Sequence, residues 1–417
     1  MFRPYRALFE HRDYLLLTAG NLIAAAGDNI LFLALLSKVY ELTHSPLNLG
    51  ITTIIEAIPG IFISPMAGYF IDRWDRKKIM IAADLFNVLA VVGLIGASAL
   101  WQIYSIAFLV ALGSAIFQPA NNSLLPNLLS RNLYLLGNSF RATLQNVRQM
   151  TGPALGGVLV TLAGFPAACL ATAVCFGLSA LCTFFIRASG YAAKDPKISG
   201  EKLGFWQEFS TGWRVILASN VLKFVVMYQS LIVFVMSMQA PIIYVFVKEV
   251  LHEGPWLVGV LFSTIGVGGI AGGLLMSAWG HRIKNKLAFA LLVLFFDGVV
   301  LLAFTLNTSI PLSIFLFSLL GVIGTVNAVI FNTILQEEVP DAVRGRVHGG
   351  LGPIYRPIEI CSVGLGTWLS SVIGVVLVLA GASVAELVVA VGSYFLPAYR
   401  RARSRTTVAP HEETATR

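Results

Sequence analysis

Asp28, Glu56, Arg148, Asp297, Arg356 and Glu359 are ionisable residues inside otherwise apolar stretches. In such surroundings their chemistry is proton transfer and charge pairing. An ionised group at the centre of a bilayer-spanning helix costs about 2.5–3.5 kcal/mol on insertion scales, so it faces a cavity or a partner. Asn21 lies seven residues before Asp28, which on a helix places both on one face, two turns apart. Arg141, Gln145, Arg148 and Gln149 fall at i, i+4, i+7 and i+8, a single polar stripe. Two readings of Asp28 and Glu56 stand. Either they are carboxylates that titrate beside a polar wall formed by Asn21, Gln145 and Gln149, or they are hydrogen-bonded to neighbouring helices for packing alone. Arg141 is close enough to a helix end to snorkel. Arg148 is too deep for that and is expected to draw on Asp28 or Glu56. The protonation of such a carboxylate depends on the balance between a nearby cation and desolvation. A movement that alters this balance would load or release a proton.

Further along, Arg356 and Glu359 are three apart and can pair along one helix face. Pro353 and Pro357 flank that arginine and should free backbone carbonyls locally. Asp297 is the remaining deep acid expected in the second half.

The elements that must position these groups are membrane helices. The chain has 417 residues, is 57% hydrophobic and only 12% charged, with a mean hydropathy of +0.79. Soluble domains carry about 25% charged residues. Runs long enough to span, about 20 residues, occur near 14–37, 49–71, 79–98, 102–122, 138–160 and 165–186. Six more follow a polar stretch, near 219–247, 256–279, 287–305, 311–333, 348–369 and 374–397. The fold class expected is therefore an all-α membrane protein of twelve spans. Its domains are a six-helix bundle over 1–186, a linker over 187–217, a second bundle over 218–399 and a tail over 400–417.

The net charge of +8 does not indicate nucleic acid, because the basic residues cluster on alternate connections and at both termini. That is an orientation signal, and it places both termini in the cytoplasm. Lys38 and Lys248 are the exceptions on the far side. The four cysteines lie in apolar runs and the six histidines are scattered, so neither a disulfide nor a metal set is expected. The first run is long enough to be retained as a span rather than removed as a signal peptide.

The most basic connection reads Gly68-Tyr69-Phe70-Ile71-Asp72-Arg73-Trp74-Asp75-Arg76-Lys77-Lys78. It recurs in degraded form at His281-Arg282-Ile283-Lys284-Asn285-Lys286, and Pro46 to Gly50 matches Pro255 to Gly259 at an offset of about 209. Two related six-helix halves are a transporter arrangement. The Gly68–Lys78 segment resembles the loop between helices two and three of the major facilitator superfamily. Tyr40 to Gly50, Phe117-Gln118-Pro119, Leu125-Pro126-Asn127, Gly152-Pro153-Ala154-Leu155-Gly156-Gly157 and Gln336 to Val347 resemble its drug-efflux branch, which includes macrolide efflux proteins and the enterobactin exporter.

The resemblance implies the major facilitator fold and several roles. Gly152, Pro153, Gly156 and Gly157 would bend helix five and seal the external side of a cavity. Gly68, Asp72, Arg73, Asp75 and Arg76 would latch the cytoplasmic side, with Arg344 and Arg346 in the mirror role. Topology alone would need only the positive charges. The family's helix-four arginine is missing, since Trp101 to Asn122 has no basic residue. The proton route must therefore run through other groups.

The function expected is proton-driven export of small amphiphilic compounds, such as drugs or secreted metabolites, across the cytoplasmic membrane by a monomer. No cofactor is expected beyond the gradient, and proton and sodium are not separated by the residues. A siderophore exporter, a lysophospholipid flippase (Gly27-Asp28-Asn29 also resembles that group) or a non-transporting receptor of the same fold are the alternatives. No phosphate-binding loop, nucleophile elbow or metal set points to an enzyme.

Overall fold

In the computed structural model, residues 8–71, 74–188, 213–214, 216–339 and 341–395 are described. They are helical throughout apart from short connections. The long helices are α1 (Arg12–Thr43), α2 (Pro46–Ile71), α3 (Arg76–Ile95) and α4 (Leu100–Leu124). Tyr134–Phe184 is divided at Gly164 into α5 (134–163) and α6 (165–184). Then come α7 (Asn220–Glu249), α8 (Pro255–Trp279), α9 (Lys286–Thr305), α10 (Ile310–Glu338), α11 (Asp341–Ile373) and α12 (Val375–Phe395). Twelve rods result among the described residues, as the hydropathy runs require. The expected linker 187–217 lies mostly, and the tail 400–417 wholly, outside the described residues.

Two connections are much shorter than the sequence suggests. The link between the expected runs 138–160 and 165–186 shrinks to Gly164, whose φ of 77° and ψ of 179° lie in a region that essentially only glycine occupies. The link between the expected runs 311–333 and 348–369 is mostly helix. Its break falls at Val339, extended at φ −102°, ψ 118° as a residue before proline prefers. The boundary between the last two rods is Gly374, at φ 87°.

By packing, the chain forms two units. Of the described residues, those before residue 198 join with Ile243–Ser263, the end of α7 and the start of α8. The rest form the second unit. The first has apolar cores around Tyr14, Leu17, Met80, Phe117 and Leu124, and around Ile30, Ala34, Val160 and Ala168. The second packs Phe224, Val225, Leu291, Leu294 and Ile330 together.

The sidedness of the helices is inverted relative to a water-soluble protein. α3 buries Asp84 and Asn87 while Leu85, Phe86, Leu89 and Val92 are exposed, Leu89 at 74%. α12 buries Glu386 and Ser383 and exposes Leu377 and Val388. Polar groups turned inward and apolar groups outward are what a hydrocarbon solvent selects.

Between helices there is no hydrophobic drive in lipid, so close packing depends on small residues. In the second unit, α8 and α10 meet through Gly268, Gly272 and Gly321. A methyl group on Gly321 would lie 2.1 Å from the Ile265 carbonyl oxygen, and one on Gly268 would lie 1.8 Å from that of Ser318. Gly273, on the same helix, has open space around it. We expect Gly321→Ala to destabilise the purified protein by about 1–3 kcal/mol, the usual range for overpacking. Gly273→Ala should be silent; thermal unfolding in detergent measures both.

Candidate membrane-embedded polar site

Two cavities of the first unit share one wall, and that wall is Arg148. The first, about 280 Å³, is lined by Thr18, Asn21 and Leu22 of α1, Gln118 and Asn122 of α4, and Arg141, Leu144, Gln145 and Arg148 of α5. The second, about 420 Å³, brings Asp28, Asn29 and Phe32 of α1 together with Glu56 and Gly60 of α2, Ser114 of α4, and Arg148. The expected meeting of Asp28, Glu56 and Arg148 is thus present as a shared cavity. It is not a closed ion pair, because no salt bridge within 4.0 Å joins Arg148 to either acid among the described residues. The Nε of Arg148 is buried without a hydrogen-bond partner.

The polar stripe on α5 divides. Arg141, Gln145 and Arg148 line the smaller cavity. Gln149 is exposed and outside its lining. Arg141 Nη2 donates to Asn122 Oδ1 at 3.4 Å, an exposed contact between two residues of the cavity lining.

Asp28 is the end of a chain of polar contacts. Ser114 Oγ donates to Asp28 Oδ1 at 3.4 Å, and Asn87 Nδ2 donates to Ser114 Oγ at 3.3 Å. Asn87 fits only because residue 113 is glycine; a Cβ there would lie 2.0 Å from its Oδ1. Asp84, one turn earlier on α3, is 1% exposed, and its Oδ2 has no partner.

The second unit holds a buried acid pair. Asp297 on α9 is 8% exposed and Glu386 on α12 is fully buried, with neither carboxylate oxygen of Glu386 hydrogen-bonded. Gly298 brings the two helices together, since a Cβ on it would lie 3.2 Å from that of Glu386. Tyr228 and Asn327 stand close by, joined by a 2.7 Å hydrogen bond from the phenol to Asn327 Oδ1. Asp297 is therefore not the lone deep acid of its half. Sequence reasoning passed over Asp84 and Glu386, although both carry the signal used for Asp28, an ionisable residue within an apolar run. Arg356 and Glu359 pair at 2.8 Å, as their spacing allows, on a partly exposed face.

The glycine segment of α5 seats that helix against two others of the first unit. Cβ atoms on Gly152 and Gly156 would meet Asn29 and Ile30 of α1. One on Gly157 would lie 2.5 Å from the Pro255 carbonyl oxygen, and one on Gly259 would lie 2.2 Å from that of Pro153. Ala154 N donates to Ser263 Oγ at 2.9 Å, and Trp256 N donates to Thr161 Oγ1 at 3.0 Å. α5 stays helical across Pro153; the break in this stretch is the one at Gly164. At the same end of α1, Tyr40 Oη donates to Glu249 of α7 at 2.5 Å.

Of the expected cytoplasmic latch, Asp72 and Arg73 lie outside the described residues, as do the surroundings of Gly68 and the side chains of Arg344 and Arg346. Asp75 and Arg76 have local work. Asp75 caps α3, accepting from the Lys77 and Lys78 amides at 3.0 and 3.3 Å. Arg76 Nη1 donates to the Ser123 carbonyl at the end of α4, at 2.6 Å. The second half repeats this: Asn285 caps α9, and Lys286 pairs with Glu337 at the end of α10 at 2.7 Å.

Helices inverted for lipid, a repeated loop and charged cavities narrow the field to transporters, and sequence comparison decides it. The profile of the Major Facilitator Superfamily matches residues 17–355. This chain belongs to that superfamily. Its members are transporters, not enzymes. Among its relatives is an "Uncharacterized MFS-type transporter YfiS" of Bacillus subtilis, 27% identical over 89% of this chain and 90% of that protein. The "Multidrug efflux pump Tap" of Mycobacterium tuberculosis is 25% identical over 80% of this chain and 81% of its own. "Macrolide efflux protein A" of Streptococcus pyogenes is 22% identical, covering 81% and 84%. The fold is that of nucleoside transporter NupG (TM-score 0.71, 12% identity, 92% of this chain and 100% of that one). A bacterial homologue of the iron transporter ferroportin is equally similar (TM-score 0.70, 17% identity, 93% and 100%).

The Gly157–Gly259 contact gives a direct test. Gly259→Val should lower the unfolding midpoint and abolish transport, because α5 and α8 cannot close to the same distance. Ser263→Ala, which removes one hydrogen bond of about 1 kcal/mol, should leave most transport intact. Both are read by unfolding in detergent and flux in vesicles.

Proposed function

We propose that this superfamily member is a secondary exporter that moves amphiphilic organic compounds out of the cytoplasm by alternating access, in exchange for protons. The observation that carries the reading is the cavity in which Asp28, Glu56 and Arg148 face one another unpaired. Two acids and one cation in a confined, lipid-shielded space cannot all stay charged at constant cost. A change in the position of Arg148, or in what fills the cavity, changes which carboxylate holds a proton. Asn87 and Ser114 extend the polar path from Asp28 toward α3. In the other half, Asp297 with Glu386 and the pair Arg356–Glu359 supply further charges within spanning helices.

The direction of transport rests on the glycine segment of α5 and on the efflux names of two relatives. The alternating basic connections support a multi-pass protein of the cell membrane with both termini in the cytoplasm. Function as a monomer completes the proposal. Asp72 and Arg73, with Arg344 and Arg346, are proposed as the cytoplasmic latch.

The test is efflux from proteoliposomes under an imposed pH gradient, screened with macrolides, dyes, siderophores and lysolipids. Asp28→Asn and Arg148→Gln should each lower gradient-driven flux about tenfold or more, in line with coupling free energies of about 1–3 kcal/mol, while counterflow without a gradient persists. Flux that follows a sodium gradient and ignores pH would replace the coupling ion. Gradient-driven flux unchanged in both variants would reject the proposed site.

Asp72→Asn separates a latch from a topology signal. Transport should be lost while the amount inserted in the membrane, measured by immunoblot, stays normal.

A further inference from the structure

The smaller cavity has a composition that the exporter reading does not explain. Its polar lining consists of two guanidiniums, four side-chain amides and one hydroxyl, and it contains no carboxylate. Arg141 and Arg148 lie two turns apart on one face of α5, about 10 Å of helical rise. Among the described residues, the hydrogen bond of Arg141 is to an amide oxygen, Asn122 Oδ1, at 3.4 Å. Arg148 leaves its Nε buried and unpartnered, and Thr18 Oγ1 and Asn21 Oδ1 on the facing helix are likewise buried without partners. Asp28 and Glu56 lie beyond Arg148 in the neighbouring cavity, not in this one. Unpaired cations inside a membrane protein are retained where a ligand or ion pathway uses them. Planar forks of five N–H donors suit carboxylate and phosphate oxygens.

We propose that this cavity is an anion subsite, in which Arg141 and Arg148, aided by the amides of Asn21, Gln118, Asn122 and Gln145, hold the carboxylate or phosphate group of an amphiphilic ligand. At about 280 Å³ the space takes a head group and not a whole drug-sized molecule. The apolar part of the ligand would lie outside it. As a statement about the transported substrate this rests on the exporter reading. As a statement about binding it does not.

The experiment uses the purified full chain in a neutral detergent and a matched pair of probes, a dansyl-labelled undecanoic acid and its primary amide. Fluorescence titration should show the acid binding about 10- to 100-fold more tightly, the range of charge-assisted hydrogen bonds. Arg141→Gln and Arg148→Gln should each remove most of that preference. Arg148→Lys should keep part of it, because charge remains while the fork is lost. Inorganic phosphate and lysophosphatidylglycerol then compete against the acid. Displacement by phosphate identifies a free anion as sufficient, and displacement by the lysolipid alone identifies a lipid head group. Equal affinity of acid and amide for the wild type overturns the subsite. So does a preference that survives both glutamine variants, or failure of both competitors. Should the glutamine variants not remain monodisperse, the wild-type comparison and the lysine variant still decide it. Tight acid binding without flux in proteoliposomes would reject the exporter reading and leave the subsite standing. Flux of neutral or cationic probes with no acid preference would do the reverse.

Discussion

No water is available in the hydrocarbon core of a bilayer to solvate a carboxylate, a guanidinium or a peptide group, and the arrangement of this protein follows from that shortage. Backbone groups are satisfied within helices. Hydroxyls on the spans return to carbonyls one turn back, as Thr52, Thr161, Thr305, Ser370 and Ser383 do. This uses the hydroxyl proton without any partner outside the helix. Most of the deep charged side chains gather around internal spaces, apart from the local Arg356–Glu359 pair, and many leucines and phenylalanines, such as Leu85, Phe86 and Leu89, face outward.

The same shortage explains the glycines. In lipid, two helices gain little by hiding apolar surface from each other, so attraction comes from close van der Waals contact. Gly268, Gly272 and Gly321 bring α8 and α10 to backbone contact, and Gly157 with Gly259 does so for α5 and α8. Gly113 and Gly298 serve a different end. Each makes room beside a buried polar side chain, Asn87 in one case and Glu386 in the other. Packing and polar placement are therefore coupled at single positions.

Much of this was legible in the sequence, because hydropathy and loop charge report on the solvent directly. The twelve runs, the alternation of basic connections and the repeat of the loop after α2 follow from composition and spacing. The meeting of Asp28, Glu56 and Arg148 was readable too, since few ionisable groups occur in the first six runs. What sequence could not supply was rotation about each helix axis. Gln149 shares the stripe of Arg148 and yet points elsewhere, while Arg141, two turns before Arg148, lines the same cavity as Arg148. Those outcomes depend on which neighbour packs where. The missing loops at Gly164 and Val339 had local signals, a glycine and a residue before proline, but hydropathy windows blur boundaries of that length. Asp84 and Glu386 stand in apolar runs as Asp28 does, but no basic residue lies three or four positions from either to mark a partner.

The two halves repeat their architecture more faithfully than their charge. Asp75 and Asn285 cap α3 and α9 in the same way, and Arg76 and Lys286, the first residues of those helices, both dock on the end of the helix that follows. At the same offset, Asn87 occupies in α3 the place that Asp297 holds in α9. Both are buried polar groups, but only the second half makes the position ionisable. Conversely, the carboxylate-free cavity with two arginines lies in the first half. A duplicated scaffold therefore supplies the positions, and the charge at a given position differs between the halves. Arg148 stands between the carboxylate-free cavity and the one that holds Asp28 and Glu56, so in the proposed reading the group that meets an anionic head group is also the group that sets the charge balance of those two acids.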